Sequence, residues 1–266
     1  MITSAQNSKV KVVRSLLGRA KERREANAFV VEGVRLVEEA ANRYWRFEIV
    51  FYDESLSERG ILLVERLRSN KIDVEEVSPG LMKSLSETEA PQGILAVLKL
   101  SHLPIPQLLN FVLIPDQIRD PGNLGTLLRT AAAAGTQAVF IPPETTDAFA
   151  PKVLRSGMGA HFRLPIHSVN WEHIQALTQG LQVYLADMDG PSCWKTNLHQ
   201  PLALIIGGEA EGASEAARTL ATRKISIPMS GDIESLNAGV AGSVLMFEVV
   251  RQRLYVSTFK RDNEAK

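Results

Sequence analysis

Three groups of polar and small residues each follow an apolar run, and their residue types suit the recognition of a charged ligand. Arginine binds phosphate or carboxylate oxygens through a rigid set of donors, while glycine lets a ligand or another backbone come close. Asparagine and glutamate add hydrogen-bond donors and acceptors. The groups are Asn123 with Gly125 and Arg129, the run 207–212 (Gly-Gly-Glu-Ala-Glu-Gly), and the run 234–237 (Glu-Ser-Leu-Asn).

The first group predicts a helix that carries a functional arginine. Gly125 and Arg129 are four residues apart and share a helix face, so the glycine leaves space beside the guanidinium. Arg129 precedes Thr-Ala-Ala-Ala-Ala, and we expect so apolar a helix to be mostly buried. A buried guanidinium needs an anionic partner, for which Glu209 is a candidate. Asn123 is expected to cap the helix. A capped helix with a surface arginine is the alternative.

The second and third groups point to close approach at two further strand ends. Gly207 and Gly208 follow the apolar run 202–206, without the spacing of a dinucleotide fingerprint and without the Gly-Lys-Ser/Thr of a phosphate loop. A tight strand-to-helix turn would also explain them. Ser235 and Asn237 precede a helix that opens with almost no side-chain bulk. Glycine in a helix costs about 1 kcal/mol relative to alanine, so a ligand, another backbone or a second subunit should approach there.

Other catalytic arrangements are not supported by the sequence. The five histidines have no metal-ligand spacing, so we predict no metal site. There is no G-x-S-x-G elbow, and Cys193 lacks a neighbouring His–Asp arrangement. A single cysteine also excludes a disulfide framework, which fits a reducing compartment and predicts a cytoplasmic protein.

Composition places the chain among globular proteins with one locally basic segment. The 266 residues are 45% hydrophobic and 23% charged, with a net charge of zero, and neither a membrane span nor a signal peptide is expected. Residues 1–24 hold seven basic side chains against one acidic side chain, Glu22. Such a segment is either a solvated helix face or a phosphate-binding patch. The candidate nucleic-acid contacts are Lys9, Lys11, Arg14 and Arg23, with Arg155 further along the chain.

Apolar runs typical of strands alternate with helical patterns along the chain, which indicates the α/β class. The segment 101–107, with two prolines and little periodicity, separates a predicted domain of residues 1–100 from one of residues 108–258. In the second domain, continuous apolar strands predict a parallel sheet covered on both faces, with one strand over residues 162–166. Residues 1–26 are predicted to form one basic helix. Ligands of parallel sheets bind outside the carboxyl ends of the strands.

Taken in order, the three groups resemble the motifs of the SpoU (TrmH-like) branch of the SPOUT RNA methyltransferases. The similarity covers about residues 111–253, including Ile-Pro-Met at 227–229. The first hundred residues resemble the L30e-like substrate-binding domain that is often fused in front of this branch, through the runs 29–33 (Phe-Val-Val-Glu-Gly) and 91–95 (Pro-Gln-Gly-Ile-Leu). The resemblance implies a C-terminal parallel-sheet domain with a trefoil knot, an exception to the rule against knots.

The resemblance also implies a function, namely transfer of a methyl group from S-adenosylmethionine to a ribose 2′-hydroxyl of RNA. Carried over residue by residue, Arg129 is the catalytic arginine, Asn123 and Glu209 orient it and the donor, and Ser235 and Asn237 position the substrate phosphate or the arginine. The resemblance implies that the donor is held by main-chain groups of Gly207, Gly208, Ile227 and Leu236.

The resemblance further implies a homodimer in which the long last helix packs and the active site is completed. The N-terminal domain favours ribosomal RNA over transfer RNA. A non-catalytic RNA-binding protein that kept the fold, and a small-molecule α/β enzyme that binds another nucleotide, are the rival functions. The filled motif positions count against the first rival, and the missing phosphate loops count against the second.

Overall fold

The chain forms two compact units, each built around its own β-sheet. A computed structural model describes residues 1–88, 90–208, 212–231 and 235–264, with side chains to residue 254 in the last range. The first unit comprises Met1–Ser101 with Phe149–Phe162, and the second comprises His102–Ala148 with Arg163–Lys266.

The first unit packs helices on both faces of a mixed four-stranded sheet of order β1-β4-β2-β3, in which β4 is antiparallel to β1 and β2. Strand β3 is parallel to β2. The strands are β1 (Ala28–Glu32), β2 (Phe47–Tyr52), β3 (Val74–Glu76) and β4 (Ile94–Lys99). The helices are α1 (Ser8–Gly18), α2 (Ala20–Ala26), α3 (Val34–Asn42), α4 (Glu58–Ser69), α5 (Pro79–Leu85) and α7 (Pro151–Gly157).

The prediction of one helix over residues 1–26 is wrong, because the chain turns between α1 and α2. Arg19 adopts extended backbone angles there and separates the two helices. The apolar face of α1 does enter the core of the first unit through Val10, Val13 and Leu16. Asn7 caps α1 by accepting a hydrogen bond from the Lys9 N–H at 2.9 Å. The break lets α2 fold back against the end of α1.

The second unit is built on a six-stranded sheet of order β10-β8-β9-β5-β6-β7, in which every strand pair is parallel. Its strands are β5 (Phe111–Pro115), β6 (Ala138–Ile141), β7 (Ile166–Ser168), β8 (Gln182–Ala186), β9 (Leu202–Ile206) and β10 (Arg223–Ile225). Its helices are α6 (Pro121–Ala133), α8 (Trp171–Leu177), α9 (Glu215–Leu220) and α10 (Ala238–Glu264).

The predicted parallel sheet with both faces covered is confirmed. Every residue of β5, β6 and β9 is buried. One face packs against α8 and α9, where Ile174 and Ala217 join the core, and the other packs against α6 and α10. The predicted strand over residues 162–166 is wrong. Ala160–Phe162 forms a 3₁₀ turn and the strand begins at Ile166, since Pro165 has no N–H to donate.

Two glycines of α10 are explained by packing within the chain. A Cβ on Gly239 would lie 3.3 Å from the Cβ of Thr126 in α6, and a Cβ on Gly242 would lie 2.3 Å from Leu127 Cδ2 and 3.2 Å from Ile206 Cγ1. Thr130 and Ser243 complete the contact with a hydroxyl pair at 2.9 Å. The small residues therefore let α10 lie directly on α6 and β9.

We expect Gly242→Ala to lower the free energy of unfolding by about 1–3 kcal/mol, because the added methyl overpacks a closed core. Urea unfolding would measure the change. Gly80→Ala is the control, since a Cβ on Gly80 meets no atom within 4 Å and alanine favours the helix. Equal stability of Gly242→Ala and wild type would show that α10 does not depend on this close approach.

Candidate active site

A cavity of about 720 Å³ lies at the carboxyl ends of three adjacent strands, β8, β9 and β10. Its wall is completed by the start of α10 and by Arg218 of α9. The volume falls within the range of about 300–1,000 Å³ that is usual for small-molecule sites. The lining residues are Ala186, Asp187, Met188, Asp189, Ile206, Gly207, Gly208, Gly212, Ala213, Arg218, Ile225, Ser226, Ile227, Met229, Ser235, Leu236, Asn237, Ala238, Ala241 and Leu245.

The structure brings together six of the residues that the sequence marked as candidates. The four residues assigned to the methyl donor, Gly207, Gly208, Ile227 and Leu236, all line the cavity. Ser235 and Asn237, at the start of α10, line it as well. The second and third sequence groups therefore belong to one site, although more than twenty residues separate them along the chain.

The two glycines after β9 are required by the protein's own backbone. A Cβ on Gly207 would lie 2.8 Å from the Ala213 nitrogen, and a Cβ on Gly208 would lie 2.4 Å from the Gln117 carbonyl oxygen. The Gly208 N–H donates to the Gly212 carbonyl at 3.1 Å. The close approach expected at Gly207 and Gly208 therefore occurs, but the approaching atoms belong to the protein's own backbone.

The segment Ala186–Asp189 at the end of β8 belongs to the cavity wall, and none of its residues is among the candidates from the sequence. Asp187 lies 3.0 Å from Lys224 Nζ and 3.4 Å from Arg218 Nη1. Burial opposes ionisation of Asp187, but the hydrogen bond from the Asp189 N–H and the two cations hold its pKa below the usual value. The sequence feature that indicates a role for Asp187 is its position directly after an apolar strand.

Asn123 links the first group to the cavity, but it does not cap α6. Asp120 is the N-cap residue and accepts a hydrogen bond from the Asn123 N–H at 2.8 Å. The Asn123 side chain instead accepts from Asn237 Nδ2 at 2.9 Å. Asn237 also caps α10 by accepting from the Val240 N–H at 3.2 Å. One amide pair therefore joins the starts of α6 and α10.

Arg129 is exposed on α6 and does not line the cavity. The expectation that it would be buried is wrong, because the apolar side of α6 is formed by other residues, such as Leu124, Leu128 and Ala131. Glu209, its predicted partner, lies outside the described residues.

The five basic residues predicted to contact RNA differ in their surroundings. Lys11 and Arg14 are exposed. Lys9 forms ion pairs with Asp73 and Glu75 at 2.7 and 2.6 Å. Arg155 lies 3.8 Å from Glu32 and 3.1 Å from Glu87, so its charge is balanced inside the first unit.

Arg23 is removed from the set of candidate RNA contacts. It is only 5% exposed, and its Nη1 donates to the Leu16 carbonyl at 2.6 Å. The guanidinium therefore satisfies the end of α1, where unpaired carbonyls need donors, and is not presented to a phosphate.

Asp116, directly after β5, is fully buried. One carboxyl oxygen accepts from the Ser214 N–H at 2.6 Å, and the other has no hydrogen-bond partner among the described residues. Burial raises the pKa of this carboxyl above its usual range. Asp116 thus connects the end of β5 to Ser214, the N-cap residue of α9.

A cysteine nucleophile, a metal site and a membrane span find no support in the described part of the chain. Burial raises the pKa of the Cys193 thiol to about 11, so it stays protonated and is a poor nucleophile. No group of three or more His, Cys, Asp or Glu residues within the described ranges is arranged to hold a metal ion. No helix in those ranges has both the length and the apolarity needed to cross a membrane.

Comparison with known proteins gives matches over both units. Residues 110–247 match the SpoU rRNA Methylase family, and residues 7–96 match the MRM3-like substrate binding domain. A similar protein is the 23S rRNA (guanosine(2553)-2′-O)-methyltransferase RlmP of Bacillus subtilis. It is 35% identical over 93% of this chain and 98% of its own length.

Solved structures with a similar fold include two that contain S-adenosylmethionine (AdoMet). The SpoU methyltransferase AviRb from Streptomyces viridochromogenes in complex with AdoMet has a TM-score of 0.82 and 30% identity, over 94% of this chain and 99% of that chain. The AdoMet-bound rRNA methyltransferase from Sinorhizobium meliloti has a TM-score of 0.83 and 28% identity, over 94% and 97%.

We expect Asp116→Asn to be at least as stable as the wild type at pH 7. Because the folded-state pKa is raised above the ordinary value of 3.8, the wild type loses stability as the pH rises from about that value through the folded pKa. Asparagine still accepts from Ser214 and does not ionise. Urea unfolding between pH 4 and 7 would measure this, with Glu54→Gln, at an exposed position of the first unit, as the control. Lower stability of Asp116→Asn at pH 7 would contradict it.

Proposed function

The chain belongs to the SpoU rRNA methylase family, and on that premise we propose that it methylates a ribose 2′-hydroxyl of ribosomal RNA with S-adenosylmethionine as the methyl donor. The observation that carries the proposal is the convergence of the second and third motif segments on one cavity, with the first motif tied to it through the Asn123–Asn237 amide pair.

The cavity residues fit S-adenosylmethionine. Ile206, Ile227 and Leu236 give it apolar walls, which suit an adenine ring. Asp187 and Arg218 place charges of both signs on the wall, and the methionine end of the donor also carries both signs. When bound, the donor supplies an electrophilic methyl group. The residues proposed to hold it are Gly207, Gly208, Ile227 and Leu236.

The proposed role of Arg129 is to bind a phosphate next to the target ribose and the 2′-oxygen. A guanidinium holds its proton too firmly to act readily as a base. Its exposed position on α6 leaves its donors open to an RNA backbone. Positioning alone supplies a large part of many rate enhancements. Asn123, Ser235 and Asn237 are proposed to hold this arrangement, and Glu209 keeps its proposed orienting role.

The first unit is proposed to bind the RNA substrate, with a functional division into residues 1–100 and residues 108–258. The match to a substrate binding domain over residues 7–96 supports this assignment, and the relative RlmP is named for 23S rRNA. Ribosomal RNA is therefore preferred to transfer RNA. Lys11 and Arg14 are exposed there, and they remain the proposed phosphate contacts of the N-terminal segment.

The proposed assembly is a homodimer that packs through α10. Val240, Phe247 and Leu254 are exposed on this helix. They are spaced seven residues apart and share one face, and contiguous exposed apolar side chains mark interaction surfaces. The proposed location is the cytoplasm, where bacterial ribosomal RNA is modified. A trefoil knot also stays a prediction, since residues 209–211 and 232–234 lie outside the described ranges.

The decisive experiment incubates the purified protein with labelled S-adenosylmethionine and with unmodified ribosomal RNA or transfer RNA, and then maps ribose methylation. We expect label in ribosomal RNA at a 2′-hydroxyl. Label only in transfer RNA would overturn the choice of substrate. Donor binding without transfer to either RNA would favour a non-catalytic RNA-binding protein.

We expect Arg129→Lys to reduce kcat by roughly a hundred-fold or more, the loss that follows when reacting groups are slightly misplaced. Because lysine keeps the charge but loses the paired donors, the pH–rate profile should keep its shape. Donor affinity, measured by calorimetry, should be unchanged. Arg223→Lys, at an exposed position of β10 outside the cavity wall, is the control. A shifted limb in the profile would instead indicate that residue 129 acts as a base.

We expect Phe247→Glu to convert the proposed dimer to a monomer, because it places a charge in the apolar stripe of α10. Sedimentation would measure the mass, and circular dichroism would check the fold. Ile61→Glu, at an exposed apolar position of α4, is the matched control and should leave the dimer intact. A Phe247→Glu protein with the same mass as wild type would refute this interface.

A further inference from the structure

Tyr44, in the turn between α3 and β2, is the most exposed large hydrophobic side chain among the described residues, at 95% exposure. Its backbone is in the left-handed region, with φ of +57°. That region is unfavourable for residues with a side chain, and glycine is usual at such helix ends. Neither packing nor backbone preference therefore accounts for a tyrosine at this position.

The turn that carries Tyr44 is firmly anchored. The next residue, Trp45, is buried, with its ring 5.6 Å from Phe29 and 5.3 Å from Phe162, edge to face in both pairs. The Trp45 N–H donates to the Ala40 carbonyl at 3.1 Å. The buried indole thus fixes the turn and leaves the neighbouring phenol ring in solvent.

Three arginines lie at or beside the turn that carries Tyr44. Arg43 and Arg46 flank it in sequence and are exposed. From the last turn of α4, Arg66 donates to the Asn42 side chain at 3.0 Å, which brings a third guanidinium to the same end of the first unit. Arg43 lies 3.5 Å from Glu39, while Arg46 and Arg66 form no ion pair with any described acidic side chain. Cations at helix ends stabilise the helix dipole, but that role does not require the tyrosine.

We propose that Tyr44 is a stacking platform for an unpaired base of the RNA substrate, with Arg43, Arg46 and Arg66 contacting the adjoining phosphates. Unstacked bases pack on aromatic rings in single-stranded RNA recognition, and arginine supplies the backbone contacts. A single aromatic ring among guanidinium groups suits a nucleic acid better than an apolar protein surface. The proposal rests on the RNA-binding role of the first unit and names a site for it.

The Tyr44→Gly variant tests RNA binding separately from folding. It removes the ring and places the favoured residue in the left-handed conformation, so thermal unfolding should occur at the same or a higher temperature. Affinity for a fluorescent single-stranded RNA of twelve nucleotides should fall roughly tenfold, within the range measured for loss of one base–aromatic stack. Tyr44→Trp should retain the affinity. Asn27→Gly, at another exposed left-handed position with φ of +49°, is the control and should bind as wild type.

The same variants distinguish this site from the methyltransferase activity. With transcribed large-subunit ribosomal RNA as substrate, Tyr44→Gly should raise KM for RNA and leave kcat and donor affinity unchanged. If the wild type transfers no methyl group but Tyr44→Gly still loses RNA affinity, the proposed reaction fails and the stacking site stands. If Tyr44→Gly matches the wild type in affinity and KM, or loses affinity only through unfolding, the stacking site is refuted.

Discussion

Close backbone approach at the carboxyl edge of the parallel sheet is the constraint on which the cavity depends. A Cβ on Gly190 would lie 2.6 Å from the Ile225 nitrogen, and Gly207 and Gly208 are as tightly placed against neighbouring backbone. No side chain fits in these positions. The chain at Gly190, Gly207 and Gly208 can therefore lie close enough to neighbouring backbone for strand ends that are distant in sequence to form one wall.

Glycines also give α10 two different faces. Gly239 and Gly242 bring one face against α6 and β9, and Leu245, three residues beyond Gly242, is buried. The opposite side presents Phe247 and other apolar residues to solvent. One helix can thus close the cavity, complete the core of the second unit and still offer a surface for a partner, since these roles use different faces.

Charged side chains form ion pairs at the cavity and inside the first unit, whereas the arginines expected to bind RNA are exposed. Asp187 at the cavity is matched by two cations, and Arg155 by two carboxylates within the first unit. By contrast, Arg129 and Arg46 are exposed. Phosphate recognition needs accessible guanidinium groups, so exposure is a more useful guide to an RNA contact than the presence of a basic residue in a basic segment.

The sequence by itself determined the alternation of strands and helices, the α/β class and the motif residues, because periodicity and residue type act over a few neighbouring positions. It did not determine the break at Arg19 or the start of β7 at Ile166. Only the tertiary structure decided that Asp187 joins the cavity, that Arg23 is buried, and that Asp120 rather than Asn123 caps α6. The sheet order β10-β8-β9-β5 places non-consecutive strand ends side by side. The burial of a side chain and its hydrogen-bond partners are set by contacts between distant residues, and no local pattern contains that information.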